Sequence, residues 1–294
     1  MRRRRPVVVG VDGTESAHDA LDWAAAEAAA RRLPLRVVHA YATAVSWAVL
    51  GELPRPYENF GVPDAARLVV EQAVQRARYV AAELEISTRL LTGAGAPALL
   101  AQSADAELLV LGSRGLGGVR GLFGGSVSFR VATHAACPVV VVRPMRPTTP
   151  GRSAARVVVG VDGSPRCERA IEFAVRAAAQ RGVGVTAVHA WAVRGTADLS
   201  AVTDDWSLAE AAEWRTFQRV FDPWRSRLAT AQIELRLVQG RAQDVLVAES
   251  AGAALVVVGS RGRGSVRAAL AGSVSQAVLQ HAGCPVAVVR ERPA

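Results

Sequence analysis

The sequence predicts an α/β chain made of two tandem domains, each a parallel sheet with helices on both faces. Three observations carry this. Short, unbroken apolar runs recur, such as Val7-Val8-Val9 and Leu108-Leu109-Val110-Leu111, and a central parallel strand covered on both faces reads this way rather than as an alternation. Stretches with apolar residues at helical spacing lie between those runs, and regular alternation of strand and helix implies right-handed crossovers. The glycine-rich stretch GSRGLGGVRGLFGGSVS, from Gly112, occurs again as GSRGRGSVRAALAGSVS from Gly259, so that Gly115, Gly125 and Ser126 have counterparts in Gly262, Gly272 and Ser273 at one constant offset.

Taken in order, residues 7–11 form the first strand, broken by Asp12-Gly13. Thr14 or Ser16 can cap the helix that follows, whose Ala20, Leu21, Ala24 and Ala28 give an apolar stripe. Pro34 precedes a second strand over 35–39. Residues 43–63 are irregular and rich in Pro, Gly and aromatics, as a lid or a dimer contact would be, and 64–84 read as a long helix. A strand over 86–91, a helix over 96–104 and a strand over 108–111 follow. The glycine stretch and a helix over 126–134 then lead to a last strand over 138–142.

Residues 144–155, with three prolines plus Thr, Gly and Ser, read as the linker. The domains are therefore 1–144 and 156–294, with 145–155 between them. The second half repeats the first: strands over 156–161, 183–189 and 234–238, a helix over 164–181, and a long helix over 207–230 with Pro223 as a kink point. The first half is three residues longer between His39 and Arg89, so the insertion spares the motifs.

The glycines point to a phosphate cradle. A chain that turns sharply behind a buried strand can present bare N–H groups, and a helix N-terminus adds unpaired N–H groups and a positive dipole end. Ser126 and Ser273 stand where those helices start, able to cap the helix or to donate to a phosphate oxygen. No Lys follows the glycines as in a Walker loop, and the spacing is not G-x-G-x-x-G. Asp12 and Asp162, at equivalent strand ends, can serve a nucleotide sugar, base or divalent cation, or can simply be turn residues of Asp-Gly.

These motifs resemble the universal stress protein family, in its tandem form. The resemblance rests on Gly-x2-Gly-x9-Gly-Ser in both halves and on the openings Val9-Gly10-Val11-Asp12-Gly13 and Val159-Gly160-Val161-Asp162-Gly163. It extends to the closings Cys137-Pro138-Val139-Val140-Val141-Val142 and Cys284-Pro285-Val286-Ala287-Val288-Val289. It implies two Rossmann-like domains, each a five-stranded sheet of order 3-2-1-4-5, whose first and fourth strands flank a switch point where ligands bind. It also implies one ATP per domain, with Mg or Mn held through the phosphates. The implied site residues are Asp12, Ala40, Gly112, Gly115, Gly125, Ser126 and Val127 in the first half. In the second they are Asp162, Ala190, Gly259, Gly262, Gly272, Ser273 and Val274. Ala40 and Ala190 match a position whose backbone lies against adenine. The fifth strands would be exposed apolar edges if left alone; in the family they pair between two domains, so the halves are expected to meet through them. Homodimerisation through such edges or through the long helices is the further partner expectation.

The resemblance implies an ATP-binding regulatory protein of the stress response, acting through ligand-dependent conformation or partner choice. The alternatives are a slow ATPase or autophosphorylating enzyme and a nucleotide-independent scaffold. Nothing in the loops offers an evident base for activating water, and no catalytic residue is assigned. Arg120 and Arg267, inside the two glycine loops, can reach a terminal phosphate or stand as solvated cations. His39, His134, His189 and His281 recur in pairs without a catalytic or metal spacing and read as structural.

With 294 residues, half of them hydrophobic, the chain can build two cores. Its apolar runs are far below the roughly 20 residues of a membrane span, and the Arg2 to Arg5 start lacks the apolar stretch of a signal peptide. A cytoplasmic protein without membrane attachment is expected. Cys137, Cys167 and Cys284 are too few and scattered for a disulfide framework and read as reduced thiols. The net charge of +9 owes much to the terminus and linker, and no basic helix with interleaved aromatics accompanies it, so nucleic acid is not expected as a partner.

Overall fold

Val7, Val8 and Val9 are fully buried because β1 (Val7–Gly10) runs down the middle of a sheet, with a parallel neighbour on each side. This computed structural model describes residues 4–41, 63–113, 126–144, 156–164, 167–191, 205–225, 232–260 and 272–290. The chain forms two units, Met1–Arg143 and Pro144–Ala294.

In the first unit β1 leads to α1 (Glu15–Arg31), β2 (Leu35–Tyr41), α2 (Asp64–Val80), β3 (Ile86–Thr92), α3 (Gly95–Ser103), β4 (Leu108–Gly112), α4 (Ser126–His134) and β5 (Val139–Val142). Every pairing among these strands is parallel and the order is β3-β2-β1-β4-β5. Helix α1 packs against α2 on one face of the sheet, and α3 packs against α4 on the other. Crossovers that leave β1 and β4 in opposite directions produce this doubly wound arrangement. It is the fold class the sequence predicts.

Local chemistry sets the ends of these elements. Thr14 caps α1: its Oγ1 accepts from the Ala17 N–H at 3.3 Å. Arg32 closes the helix in the left-handed region with φ 53°. The bidentate grip of the Arg76 guanidinium on Asp22, with two bonds of 2.7 Å, joins α2 to α1 across the surface, and it raises the Arg76 pKa above its ordinary value. Helix α2 stops at Val80, earlier than the sequence pattern suggests. Ala81 is extended there, and the chain turns so that Leu35 can donate to the Glu85 carbonyl and bring Ile86 level with Leu35.

The second unit repeats the plan with β6 (Val157–Gly160), α5 (Glu168–Arg181), β7 (Val185–Trp191), α6 (Asp205–Arg225), β8 (Ile233–Gln239), α7 (Ala242–Glu249), β9 (Leu255–Gly259), α8 (Ser273–His281) and β10 (Val286–Val289). Its strands are again parallel in the order β8-β7-β6-β9-β10. Gly182, with φ 64°, takes the place of Arg32 at the end of α5. Helix α5 starts at Glu168, four residues later than the sequence suggests, and the Ser164 hydroxyl before it donates to Asp162 at 2.7 Å. Pro223 falls in the last turn of α6, where it removes one helical N–H donor two residues before the helix ends at Arg225. Helix α6 buries Phe217 and Phe221, whose rings meet edge to face, 5.6 Å apart.

The irregular stretches, the linker residues 145–155, Arg120 and Arg267 lie outside the described residues. No helix among the described residues is long and apolar enough to cross a membrane.

Candidate functional site

In each unit the site starts from the strand that ends in Asp-Gly. Gly13 and Gly163 have φ of 81° and 75°, a turn that other residues adopt at a cost, and it sends the chain from strand to helix in one step. Asp12 Oδ1 accepts from the Thr14 N–H at 3.1 Å and from its hydroxyl at 2.6 Å. Asp162 Oδ1 accepts in the same way from Ser164, at 3.0 and 2.7 Å. Both carboxylates are half-buried and held in one direction at the strand end. The turn role and a ligand role are therefore compatible: the turn orients the carboxylate that a ligand would meet.

Register brings the other elements to the same edge. Val9 lies beside Val110, so Asp12 and Ser113 leave β1 and β4 side by side. Gly10 lies beside Val38, which sets Ala40 level with Asp12. The second unit has the same pairings, Val159 with Val257 and Gly160 with Val188, which set Asp162 beside the Gly259 end of β9 and level with Ala190.

The start of the last helix returns to this edge. In the first unit the buried Ser128 hydroxyl donates to the Gly112 carbonyl at 2.6 Å, tying the first turn of α4 to the end of β4. In the second, the Gly272 N–H donates to the Ser260 carbonyl at 3.2 Å, closing the loop between β9 and α8. The Ser275 hydroxyl, at the place of Ser128, donates instead to the Gly272 carbonyl at 2.9 Å. Either way the helix N-terminus, where N–H groups lack helical partners, stands at the end of β4 or β9, the strand next to the one that carries the aspartate. Val127 is exposed at the start of α4, 3.7 Å from where a Cβ on Gly95 would stand, so α3 also reaches this edge.

Of the residues the sequence nominates, Asp12, Ala40, Gly112, Ser126 and Val127 gather at one sheet edge, and Asp162, Ala190, Gly259, Gly272, Ser273 and Val274 gather at the other. Gly115, Gly125 and Gly262 lie outside the described residues. Gly112 has a second reason to be glycine: a Cβ there would meet the Ser16 backbone carbonyl, with Ser16 Oγ at 2.6 Å. Ser128 and Ser275 were not nominated, although the repeated Ser-Val-Ser contained that signal.

His39 and His189 are structural at their Nδ1 side. His39 Nδ1 donates to the Val11 carbonyl at 2.8 Å and His189 Nδ1 to the Val161 carbonyl at 2.7 Å. Cys137, Cys167 and Cys284 are free and buried. Burial pushes the Cys137 and Cys167 thiols up to about 12, helped at Cys167 by the nearby Asp162 carboxylate. Among the described residues no three His, Cys, Asp or Glu side chains are grouped to hold a metal ion.

A pair of doubly wound units, each with an aspartate and a helix N-terminus at the ends of the two neighbouring strands that flank the switch point, is the class of protein these observations define. The model of the universal stress protein family matches residues 3–143 and again 154–290. The chain belongs to that family. It is 38% identical to universal stress protein Rv2005c of Mycobacterium tuberculosis H37Rv over 298 residues, covering 99% of this chain and 98% of the relative. Universal stress protein Rv2623 of the same strain is 36% identical over 291 residues, covering 97% and 96%. A crystal structure of a universal stress protein from Archaeoglobus fulgidus has the same fold, with a TM-score of 0.65 at 18% identity and coverage of 99% of both chains. A functionally unknown protein of Pseudomonas aeruginosa PAO1 also shares it, with a TM-score of 0.66 at 16% identity over 98% of this chain and 93% of that one.

Proposed function

We propose that each unit binds one adenine nucleotide, ATP, and that the chain acts in the stress response as a regulatory protein whose conformation or partner choice follows the bound ligand. One observation carries this reading. In both units the Gly-Ser end of the repeated motif folds back over the strand that begins it, and that strand end lies beside an oriented aspartate. Phosphates fit the helix N-terminus, and ribose hydroxyls fit the carboxylate. Ala40 and Ala190, level with the aspartates, leave room for a flat base.

A divalent cation fits as a companion of the phosphates. Mg2+ keeps several waters and takes one or two carboxylates together with phosphate oxygens, and Asp12 or Asp162 would be the protein's contribution. Assembly into a homodimer belongs to the same reading, and light scattering at several concentrations tests it.

Calorimetric titration of protein freed of copurified nucleotide is the test of the binding reading. Close to two ATP per chain is expected. A stoichiometry well below two would show that at least one glycine loop is only a loop.

A further inference from the structure

The buried ring of His189 holds two hydrogen bonds of different kinds. Its Nδ1 lies 2.7 Å from the Val161 carbonyl, which can only accept, so Nδ1 carries a proton. Its Nε2 lies 3.0 Å from Glu213 Oε2 on α6. In a neutral ring with Nδ1 protonated, Nε2 is a bare lone pair, and a carboxylate oxygen also only accepts. Two acceptors do not bond, so the contact between Nε2 and Glu213 Oε2 holds one shared proton. Phe217, one helical turn beyond Glu213, stacks on the same ring with centroids 5.5 Å apart and holds it in place.

The chain neighbours of these atoms are the residues nominated for the ligand. Asp162 follows Val161, and Ala190 follows His189. The path Glu213, His189, Val161 therefore braces the ends of β6 and β7 from α6. The first unit keeps the inner half of this path, His39 to Val11 at 2.8 Å, but among the described residues no side chain of α2 bonds the His39 ring.

We propose that Glu213 is a positioning residue for the ligand site of the second unit, so that the two sites of one chain are not equivalent. The proposal rests on the nucleotide reading above. Holding the His189 ring by a hydrogen bond at each nitrogen keeps the Asp162 turn and the Ala190 backbone at their spacing before the ligand arrives, and such preorganisation lowers the cost of binding.

The test uses the full chain with Glu213→Ala and Glu213→Gln. Alanine suits a helix and Glu213 is half-buried on α6, so the fold is expected to persist. Glu213→Ala should weaken one of the two ATP sites by about tenfold and leave the other unchanged. Glu213→Gln, whose amide N–H can donate to Nε2 of the neutral ring, should restore the affinity to within about twofold. In nitrogen-detected NMR the His189 Nε2 signal should differ between the wild type and Glu213→Ala, while Nδ1 keeps the signature of an N–H in both. Two unchanged sites in Glu213→Ala, equal loss at both, or a Gln variant no better than Ala would overturn the positioning role while the nucleotide reading stands. A wild type that keeps the His189 to Glu213 bond yet binds no ATP in the second unit would overturn the nucleotide reading, and the positioning role with it.

Discussion

Gly112, at the end of β4, stands directly against the first turn of α1 at Ser16. A Cβ on Gly112 would meet the Ser16 carbonyl oxygen, with Ser16 Oγ at 2.6 Å and the Ser16 carbonyl carbon at 2.7 Å. Much of what stands in the way is backbone, which cannot swing aside as a side chain would. Gly112→Ala should therefore destabilise the first unit by about 1 to 3 kcal/mol, the usual cost of forcing extra atoms into packed structure. Thermal unfolding without ligand should show this as a melting temperature lowered by several degrees. An unchanged melting temperature would mean that α1 retreats from β4 at no cost.

A second stability prediction uses the internal repeat as its control. Arg32 closes α1 with φ 53°, and Gly182 closes α5 with φ 64° at the equivalent place. A side chain in this conformation costs about 1 kcal/mol, part of which the greater freedom of glycine in the unfolded chain offsets. Arg32→Gly should stabilise the first unit by a few tenths to about 1 kcal/mol. Gly182→Ala should cost about the same in the second. Urea unfolding of both variants reads the two effects, and a destabilised Arg32→Gly would show that the Arg32 side chain does more than close the helix.

The buried thiols predict a pH dependence with a definite sign. Cys137 and Cys167 are pushed up to about 12 by desolvation, from an ordinary value near 9. The folded state thus holds its thiol protons more tightly than the unfolded state. Stability from this source is fully present below pH 9 and is lost as the pH rises from 9 towards 12. At pH 8 these thiols should react with a thiol probe far more slowly in the native protein than in urea. Native labelling as fast as that of the unfolded chain would contradict the burial of both.

The alternation of strands and helices was readable from the sequence because it rests on patterns repeated in both halves. Val7-Val8-Val9 and Val157-Val158-Val159 read as buried strands in either position, and the helix over 126–134 starts and ends where the pattern places it. Helix ends were less legible. The end of α2 at Val80 is decided by the pairing of Leu35 with Ile86, a contact between segments far apart in the chain. Glycine at Gly112 was legible as a motif residue, but its contact with Ser16 needs two elements in place. The Glu213 to His189 bond lay beyond the sequence for the same reason. It crosses from helix to strand, and the length difference between the halves falls between His39 and Arg89, so the repeat fixes no counterpart for Glu213.

The sharpest test of the two-site reading removes one charge at a time. Asp12 and Asp162 each accept two bonds within their own turn, from Thr14 or Ser164, through a single oxygen. Asparagine keeps a carbonyl oxygen for that role and preserves the turn, but it removes the negative charge and turns the other oxygen into a donor. Asp12→Asn should thus fold as the wild type does while weakening ATP at the first unit. Loss of a charge-assisted bond to a ribose hydroxyl or a cation is worth about 1.5 to 3 kcal/mol, or roughly ten- to more than a hundredfold in affinity. Asp162→Asn should do the same at the second unit, and the double variant should lose affinity at both by the sum of the single effects, because the two sites share no residues. Calorimetric titration of the four proteins reads each site against its untouched twin. Wild-type affinity at both sites in either single variant would confine that aspartate to its turn.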